Sequence, residues 1–140
     1  MLKRRVYIIS LGMLLVAWSG AMADTGKEAA AKASALEWLQ RVDEEAYADS
    51  WDSAAKYFKN AVNKEQWVQM LRTVRAPLGK LLSRVPKRMA YRTSLPGAPD
   101  GQYVVIQFST SFENKKSAVE TVTPMLDADG KWRVSGYYIK

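Results

Sequence analysis

The hydrophobic residues of this chain change from a helical spacing to a spacing of two near Leu81. Before that point, apolar residues recur three or four positions apart in a segment rich in good helix formers, which predicts helices. After it, apolar and polar residues alternate as far as Ile139, which predicts strands. We therefore expect an α+β domain with three helices packed on a curved antiparallel sheet of about four strands.

The first predicted helix covers Gly26 to Ala46 and ends at a bend around the acidic run 43–45. Asn63 and Gln66 predict a capping box at the start of the third helix, which Pro77 and Gly79 end. The residues expected to be buried are Leu36, Leu39, Val42 and Ala46 in the first helix, Tyr47, Trp51, Ala54 or Ala55, Phe58 and Val62 in the second, and Trp67, Met70, Leu71 and Val74 in the third.

The strands are predicted over 81–93, 102–113, 117–127 and 131–139. Pro86 interrupts the first strand, which indicates a sheet edge or a bulge. The segments 95–97 and 129–130 predict tight turns. Asn114-Lys115-Lys116 is the predicted hairpin loop between the second and third strands.

The first 23 residues have the features of a cleaved secretory signal. Three cations at positions 3–5 precede an apolar run over 6–18, and Ala21-Met22-Ala23 is a small-x-small cleavage site. The run is short for a membrane span, which needs about 20 apolar residues. We expect removal of Met1–Ala23, a single domain over 24–140 that carries about +4 of the formal charge of +7, and a periplasmic or secreted location.

The chain contains no histidine and no cysteine. This excludes Ser–His–Asp and Cys–His nucleophilic systems, the usual zinc ligand sets and blue-copper sites. It also means that packing alone, without disulfides, holds the domain together. We expect no catalytic residue of these classes, no cofactor and no metal site.

Glu120 is the most informative candidate site residue, because carboxylates are disfavoured in the middle of a strand. A three-residue hairpin loop would place it on the same face as Phe108 and Phe112, and a two-residue loop would place it in water. Inside, it could act as a general base or bind a cationic group. A structural ion pair with Arg75 or Arg84 is the favoured interpretation.

Other candidates for binding are basic or aromatic. Arg75 lies near the C-terminal end of the third helix, where a cap or ion pair is favoured over an anion site. A second set alternates along the first strand as a basic ridge, for which protection of the sheet edge is favoured over docking; its members are Lys80, Arg84, Arg88 and Arg92. Tyr137 and Tyr138 cannot both point inward, so one of them is expected to be exposed as an interface candidate.

Several segments of the chain resemble a family of small exported bacterial proteins catalogued as domain of unknown function 4019. The segments that carry the resemblance are Ala35-Leu36-Glu37-Trp38-Leu39, Ser50-Trp51, Arg75-Ala76-Pro77-Leu78-Gly79 with Arg84, Leu95-Pro96-Gly97, Pro99-Asp100-Gly101-Gln102-Tyr103, Glu120-Thr121-Val122-Thr123 and Trp132-Arg133-Val134-Ser135-Gly136-Tyr137-Tyr138. The resemblance implies an exported single domain of cystatin-like or nuclear transport factor 2-like shape, and it transfers no site residues.

These features favour a non-enzymatic module of the cell envelope that binds a protein partner or a small apolar ligand. Docking would use the exposed sheet edge or the open end of the cone. The alternative is a small ketosteroid-isomerase-like enzyme or ligand carrier that uses Glu120, with a tyrosine as oxyanion donor. Self-association into a homo-oligomer is a third possibility. We expect no nucleic-acid partner and no transmembrane segment once the signal is removed.

Overall fold

The computed structural model describes the backbone of residues 15–140 and the side chains of residues 24–140. The predicted signal peptide lies outside these residues, apart from the backbone of 15–23 within the first helix. The helices are α1 (Leu15–Asp43), α2 (Tyr47–Asp52), α3 (Lys56–Ala61), α4 (Lys64–Val74) and a 3-10 turn (Ala76–Leu78). The strands are β1 (Leu81–Arg92), β2 (Tyr103–Phe112), β3 (Lys115–Leu126) and β4 (Trp132–Ile139). The α+β class is confirmed.

The second predicted helix is two short helices, α2 and α3, so the described chain has four α-helices rather than three. The interruption has a clear cause in the backbone. Ala55 adopts an extended conformation with ψ of 150°, and its N–H donates to the carbonyl of Val134 at 2.8 Å. This hydrogen bond joins the helical layer to strand β4 at the cost of helix continuity.

Helix α4 begins with the expected capping box. Asn63 accepts a hydrogen bond from the backbone of Gln66, and the Gln66 side chain accepts one from the backbone of Asn63. The expected burial of Met70 and Val74 is wrong, since they are 50% and 48% exposed. Only Trp67 and Leu71 of this helix are buried, which shows that α4 packs through a narrow face.

Helix α1 contacts all four strands and forms the helical side of the core. Its buried face consists of Ala31, Ala35, Trp38, Leu39 and Val42. Leu36 was expected in this stripe but is 41% exposed. The two alanines let the helix approach the sheet along a face rotated away from Leu36.

The sheet is antiparallel with strand order β1-β2-β3-β4, so β1 and β4 are its edges. Pro86 lies on an edge strand, and the pairing register shifts between Pro86 and Arg88, as the proline predicted. The predicted turns are also present. Leu95 accepts a hydrogen bond from Ala98, and Asp127 accepts one from Gly130.

The hairpin between β2 and β3 differs from its predicted form. Phe112 pairs directly with Lys115, so the loop contains two residues, Glu113 and Asn114, rather than 114–116. A two-residue loop alone would turn Glu120 toward solvent. However, the register shifts by one residue between Thr110 and Phe112, and this bulge restores the inward orientation of Glu120.

The two faces of the sheet have different environments. The inner face packs on the helices through Val104, Ile106, Phe108, Val122 and Val134. The outer face consists of alternate residues on the opposite side, and no described helix packs on it. Its rows run from Val85 through Ser109 to Val119, and from Arg88 through Gln107 and Thr121 to Tyr138.

Candidate functional site

Glu120 lies on the inner face opposite Phe108 and is 0% exposed. Its oxygen Oε1 accepts hydrogen bonds from Nε of Arg84 and from the hydroxyl of Thr110, both at 2.7 Å. Its other oxygen, Oε2, accepts from the hydroxyl of Tyr137 and from Nη2 of Arg84 at 3.2 Å. Because both oxygens are occupied and closed off from solvent, this carboxylate cannot reach a ligand.

Arg84 connects Glu120 to a second carboxylate at the end of α1. Its Nη1 and Nη2 lie 2.7 and 2.9 Å from the two oxygens of Asp43. Burial opposes the charge of Arg84, but hydrogen bonds to Asp43 and Glu120 outweigh this and raise its pKa. Arg84 is therefore held as a cation between two carboxylates.

Arg75 is also buried, at 3% exposure, and joins the network through Asp43. Its Nη2 lies 3.3 Å from Asp43, and its Nη1 donates to the carbonyl of Gly79 at 2.6 Å. The guanidinium also lies 4.4 Å from the centre of the Phe112 ring, a cation–π distance. The ion pair agrees with the favoured interpretation of Arg75, whereas the carbonyl that it binds belongs to Gly79, after the 3-10 turn, and not to the end of α4.

We call this network the ion cluster; its members are Asp43, Arg75, Arg84, Thr110, Glu120 and Tyr137. Two guanidinium groups balance two carboxylates, which is how buried charges are tolerated. Burial first, then the charge and hydrogen bond of Glu120, raise the pKa of Tyr137 well above 10.0, so its hydroxyl stays protonated as a donor. The ion cluster can tie α1, the α4 end and the sheet together.

The sequence predicted Asp43 only as part of the acidic bend over 43–45, and its role in the ion cluster was missed. The signal was present in the helical spacing. Asp43 follows Leu39 by four residues and Val42 by one, which places it at the border of the buried stripe. Only the fold reveals that Arg84 and Arg75 meet it there.

The basic ridge is not formed as a row of four cations. Arg84 points inward to the ion cluster, whereas Arg88 pairs with Gln107 on the outer face. The bulge after Pro86 reverses the alternation between these two arginines. Arg92 also lies on the outer face, and Lys80 is exposed beyond the start of β1.

Tyr137 and Tyr138 take opposite orientations, as alternation requires. The Tyr137 ring lies 5.2 Å from the Trp38 ring, and its hydroxyl donates to Glu120, so it serves the core. Tyr138 is 54% exposed on the outer face. The expectation that one of the two is exposed is confirmed, and the candidate for contact with a partner is Tyr138 rather than Tyr137.

The outer face has an unbalanced charge. Glu120 is the single acidic residue in the four strands, and it points inward. Arg88, Arg92 and Lys140 are exposed cations, and Lys140 joins the face by pairing with Val119. The strands therefore present a surface of cations, small polar residues and isolated apolar side chains, without a carboxylate.

The fold and the ion cluster define an α+β domain with a closed polar core and an open sheet face. The chain belongs to the family described as "Protein of unknown function (DUF4019)", whose model matches residues 34–137. This range contains every member of the ion cluster. No curated protein and no solved structure shows significant similarity to the chain.

Two further observations concern the part of the chain that the structure describes. None of its helices combines the length and the hydropathy needed to cross a membrane. None of its side-chain clusters brings together three acidic residues in a way that could hold a metal ion.

Proposed function

We propose that this protein is an exported, non-enzymatic binding module of the bacterial cell envelope that docks an acidic protein partner through its outer sheet face. The observation that carries the proposal is the charge of this face. It exposes Arg88, Arg92 and Lys140, and its four strands carry no outward-facing acidic side chain. Cations concentrated on one face steer an oppositely charged partner and fix its orientation.

Exposed apolar side chains on the same face support docking rather than simple solubility. Val85 is 59% exposed and Tyr138 is 54% exposed. A partner that covers the two would gain apolar burial in addition to charge pairing. Tyrosine and arginine are also the side chains that interfaces use most effectively.

Export is supported by the N-terminal sequence, with its basic start, apolar run and small-x-small site before Asp24. The order of helices followed by a four-strand meander supports a cystatin-like or nuclear transport factor 2-like architecture. The geometry of Glu120 gives no support to the isomerase-like alternative. A general base must lie within hydrogen-bond reach of its substrate, and Glu120 is enclosed by Arg84, Thr110 and Tyr137.

Photo-crosslinking in living bacteria tests the proposal. A crosslinking amino acid is placed at Val85 or Tyr138 in the full chain, and at Leu36 as a control on the helical side. We expect a discrete crosslinked protein from the two outer positions and not from Leu36. The absence of any crosslink from the outer positions, or the same products at all three, would overturn the proposal.

Charge reversal identifies the contribution of the cations. Arg88→Glu with Arg92→Glu should reduce the crosslinked product by about tenfold or more, the effect of losing 1.4 kcal/mol of binding. The matched control is Lys56→Glu with Lys64→Glu, which reverses two exposed cations on α3 and α4. Equal losses in the two pairs would mean that net charge, and not this face, drives capture.

A further inference from the structure

A cleft on the helical side lies between the start of α2 and the second half of α4. Its cavity is about 380 Å³, and the lining includes Glu45, Tyr47, Asp49, Val68, Arg72 and Ala76. A neighbouring cavity of about 290 Å³ shares Glu45 and Ala76 and extends to Arg75. The first cavity lies within the size range of sites for small molecules.

The two buried side-chain polar atoms that lack a hydrogen-bond partner, among residues 24–140, both belong to this region. They are the hydroxyl of Tyr47 and Nε of Arg75. Tyr47 is only 6% exposed, so its hydroxyl has lost water without gaining a protein partner. Such a group costs free energy unless something else satisfies it, and here it belongs to a residue that lines the cleft.

The charged residues of the cleft are also unpaired. Arg72, Glu45 and Asp49 make no ion pair with another described residue, whereas Arg75, Arg84 and Arg133 all do. Burial first, then the charge of Glu45, raise the pKa of the Tyr47 hydroxyl, and the charges of Arg75 and Arg72 oppose this. The hydroxyl thus lies among charges of both signs.

We propose that this cleft binds a small zwitterion, namely a short peptide with a free ammonium and a free carboxylate. The carboxylate would pair with Arg72 and, once the buried Tyr47 side chain turns toward the cleft, accept a hydrogen bond from its hydroxyl. The ammonium would pair with Glu45 and Asp49, which supply acceptors only. Val68 and Ala76 leave an apolar wall for a small side chain. This site is separate from the outer face and does not depend on it.

Three peptides of nearly equal size show whether the cleft recognises the ammonium, the carboxylate or both. The probe is L-alanyl-L-alanine, compared with its N-acetyl form, which lacks the ammonium, and its C-terminal amide, which lacks the carboxylate. Binding to the full chain is followed through the backbone amide signals of residues 45–49 and 72–76 in NMR spectra. We expect the free dipeptide to bind and each capped form to bind at least about tenfold more weakly.

Other patterns would overturn the proposal. Equal binding of the N-acetyl form would indicate an anion site, and equal binding of the amide would indicate a cation site. No shift in residues 45–49 at about 10 mM dipeptide, a concentration about tenfold above a Kd of 1 mM, would mean that the cleft binds no peptide of this class.

Single substitutions separate ligand binding from folding. Arg72→Gln and Glu45→Asn each remove one charge, and asparagine tolerates the positive φ of 62° at position 45. Each should weaken dipeptide binding about tenfold, while Glu65→Gln on α4, outside the cleft lining, should not. Unchanged binding in both cleft variants would contradict the proposal.

The docking proposal and the cleft proposal fail separately. Dipeptide binding at the cleft without crosslinking at the outer face would contradict only the docking proposal, and crosslinking without dipeptide binding would contradict only the cleft proposal.

Tyr47→Phe distinguishes a role in ligand binding from a role in packing, because the two roles predict different effects on stability and on dipeptide binding. The variant removes an unpaired hydroxyl, so the protein without ligand should be as stable as the wild type or more stable. Dipeptide binding should nevertheless fall by about tenfold. A loss of stability with unchanged binding would assign Tyr47 to the core alone.

Discussion

Arg84 and Glu120 form a buried ion pair across the sheet, with Nε of Arg84 2.7 Å from Oε1 of Glu120. The two residues are 36 positions apart in sequence. A third residue, Asp43, binds the other side of the same guanidinium. One side chain on an edge strand therefore links the centre of the sheet to the end of α1.

Arg84→Met tests how much this ion pair contributes to the free energy of unfolding. Methionine fills a similar volume but leaves Glu120 buried without a counter-ion, and loss of one partner of a buried pair costs about 3–5 kcal/mol. We expect this loss in the free energy of unfolding, measured by urea denaturation at neutral pH. Arg88→Met, on the exposed face four residues away, should change stability by no more than about 0.5 kcal/mol. Similar values for the two variants would show that the cluster adds little to stability.

Tyr137 gives the protein a pH dependence at the alkaline end. Its pKa is raised well above 10.0, by burial first and then by Glu120. The folded state therefore keeps a proton that the unfolded chain releases near pH 10. The stabilisation from this group is fully present below about pH 10. It is lost as the pH rises from there through the raised pKa of the folded state.

Tyr137→Phe should remove this contribution. The free energy of unfolding should decline less steeply with pH above about 10, by up to about 1.4 kcal/mol per pH unit. Tyr47 and Tyr103 also have raised pKa values, so part of the decline remains. The measurement is urea denaturation at several pH values, with the exposed Tyr138→Phe as the control. A slope that matches wild type in the Tyr137 variant would contradict the assignment.

Local pattern was sufficient to predict the class of the fold, the capping box, the edge proline and the bounds of all four strands to within two residues. These features depend on nearest neighbours along the chain. The hairpin is different, because a shorter loop and a bulge between Thr110 and Phe112 compensate each other. Two opposite one-residue shifts leave the inward position of Glu120 unchanged, and neither has a distinctive residue signature.

The candidate site could be predicted only in part from the sequence. Glu120 was recognised because a charge in the middle of a strand is unusual, and Arg84 was one of its two expected partners. Asp43 was missed because its neighbours, Glu44 and Glu45, are exposed and make the whole run look solvated. The cleft at Tyr47 was missed for another reason, since an unpaired hydroxyl exists only once the chain is folded.

Asp129 and Arg133 form an ion pair at the β3–β4 turn that can be observed directly. Hydrogen bonds from the Arg133 side chain and then from the Lys131 backbone lower the pKa of Asp129 to about 2. An NMR titration of the carboxyl carbon should give this value. Arg133→Gln should move it back toward 3.8, because the principal donor is lost, while Arg92→Gln should leave it unchanged. An ordinary pKa in the wild-type protein would mean that the pair does not persist in solution.

Gly79 and Gly97 form a natural pair for separating backbone strain from steric crowding. Both have positive φ, 78° and 77°. A Cβ at Gly79 would lie 2.9 Å from Cβ of Glu113, whereas a Cβ at Gly97 would meet nothing within 4 Å. Glu113 is itself fixed, since its carboxylate accepts a hydrogen bond from the backbone of Lys80 at 2.6 Å.

Alanine at either glycine incurs the cost of a left-handed backbone, about 1 kcal/mol or more. Gly79→Ala should lose a further 1–3 kcal/mol, roughly the cost of overpacking, because the new methyl group displaces the hairpin that carries Phe112. Urea denaturation of the two variants measures the difference. Equal losses would show that the β2–β3 hairpin moves freely away from Gly79, and that Arg75 and Phe112 are not held in place by this contact.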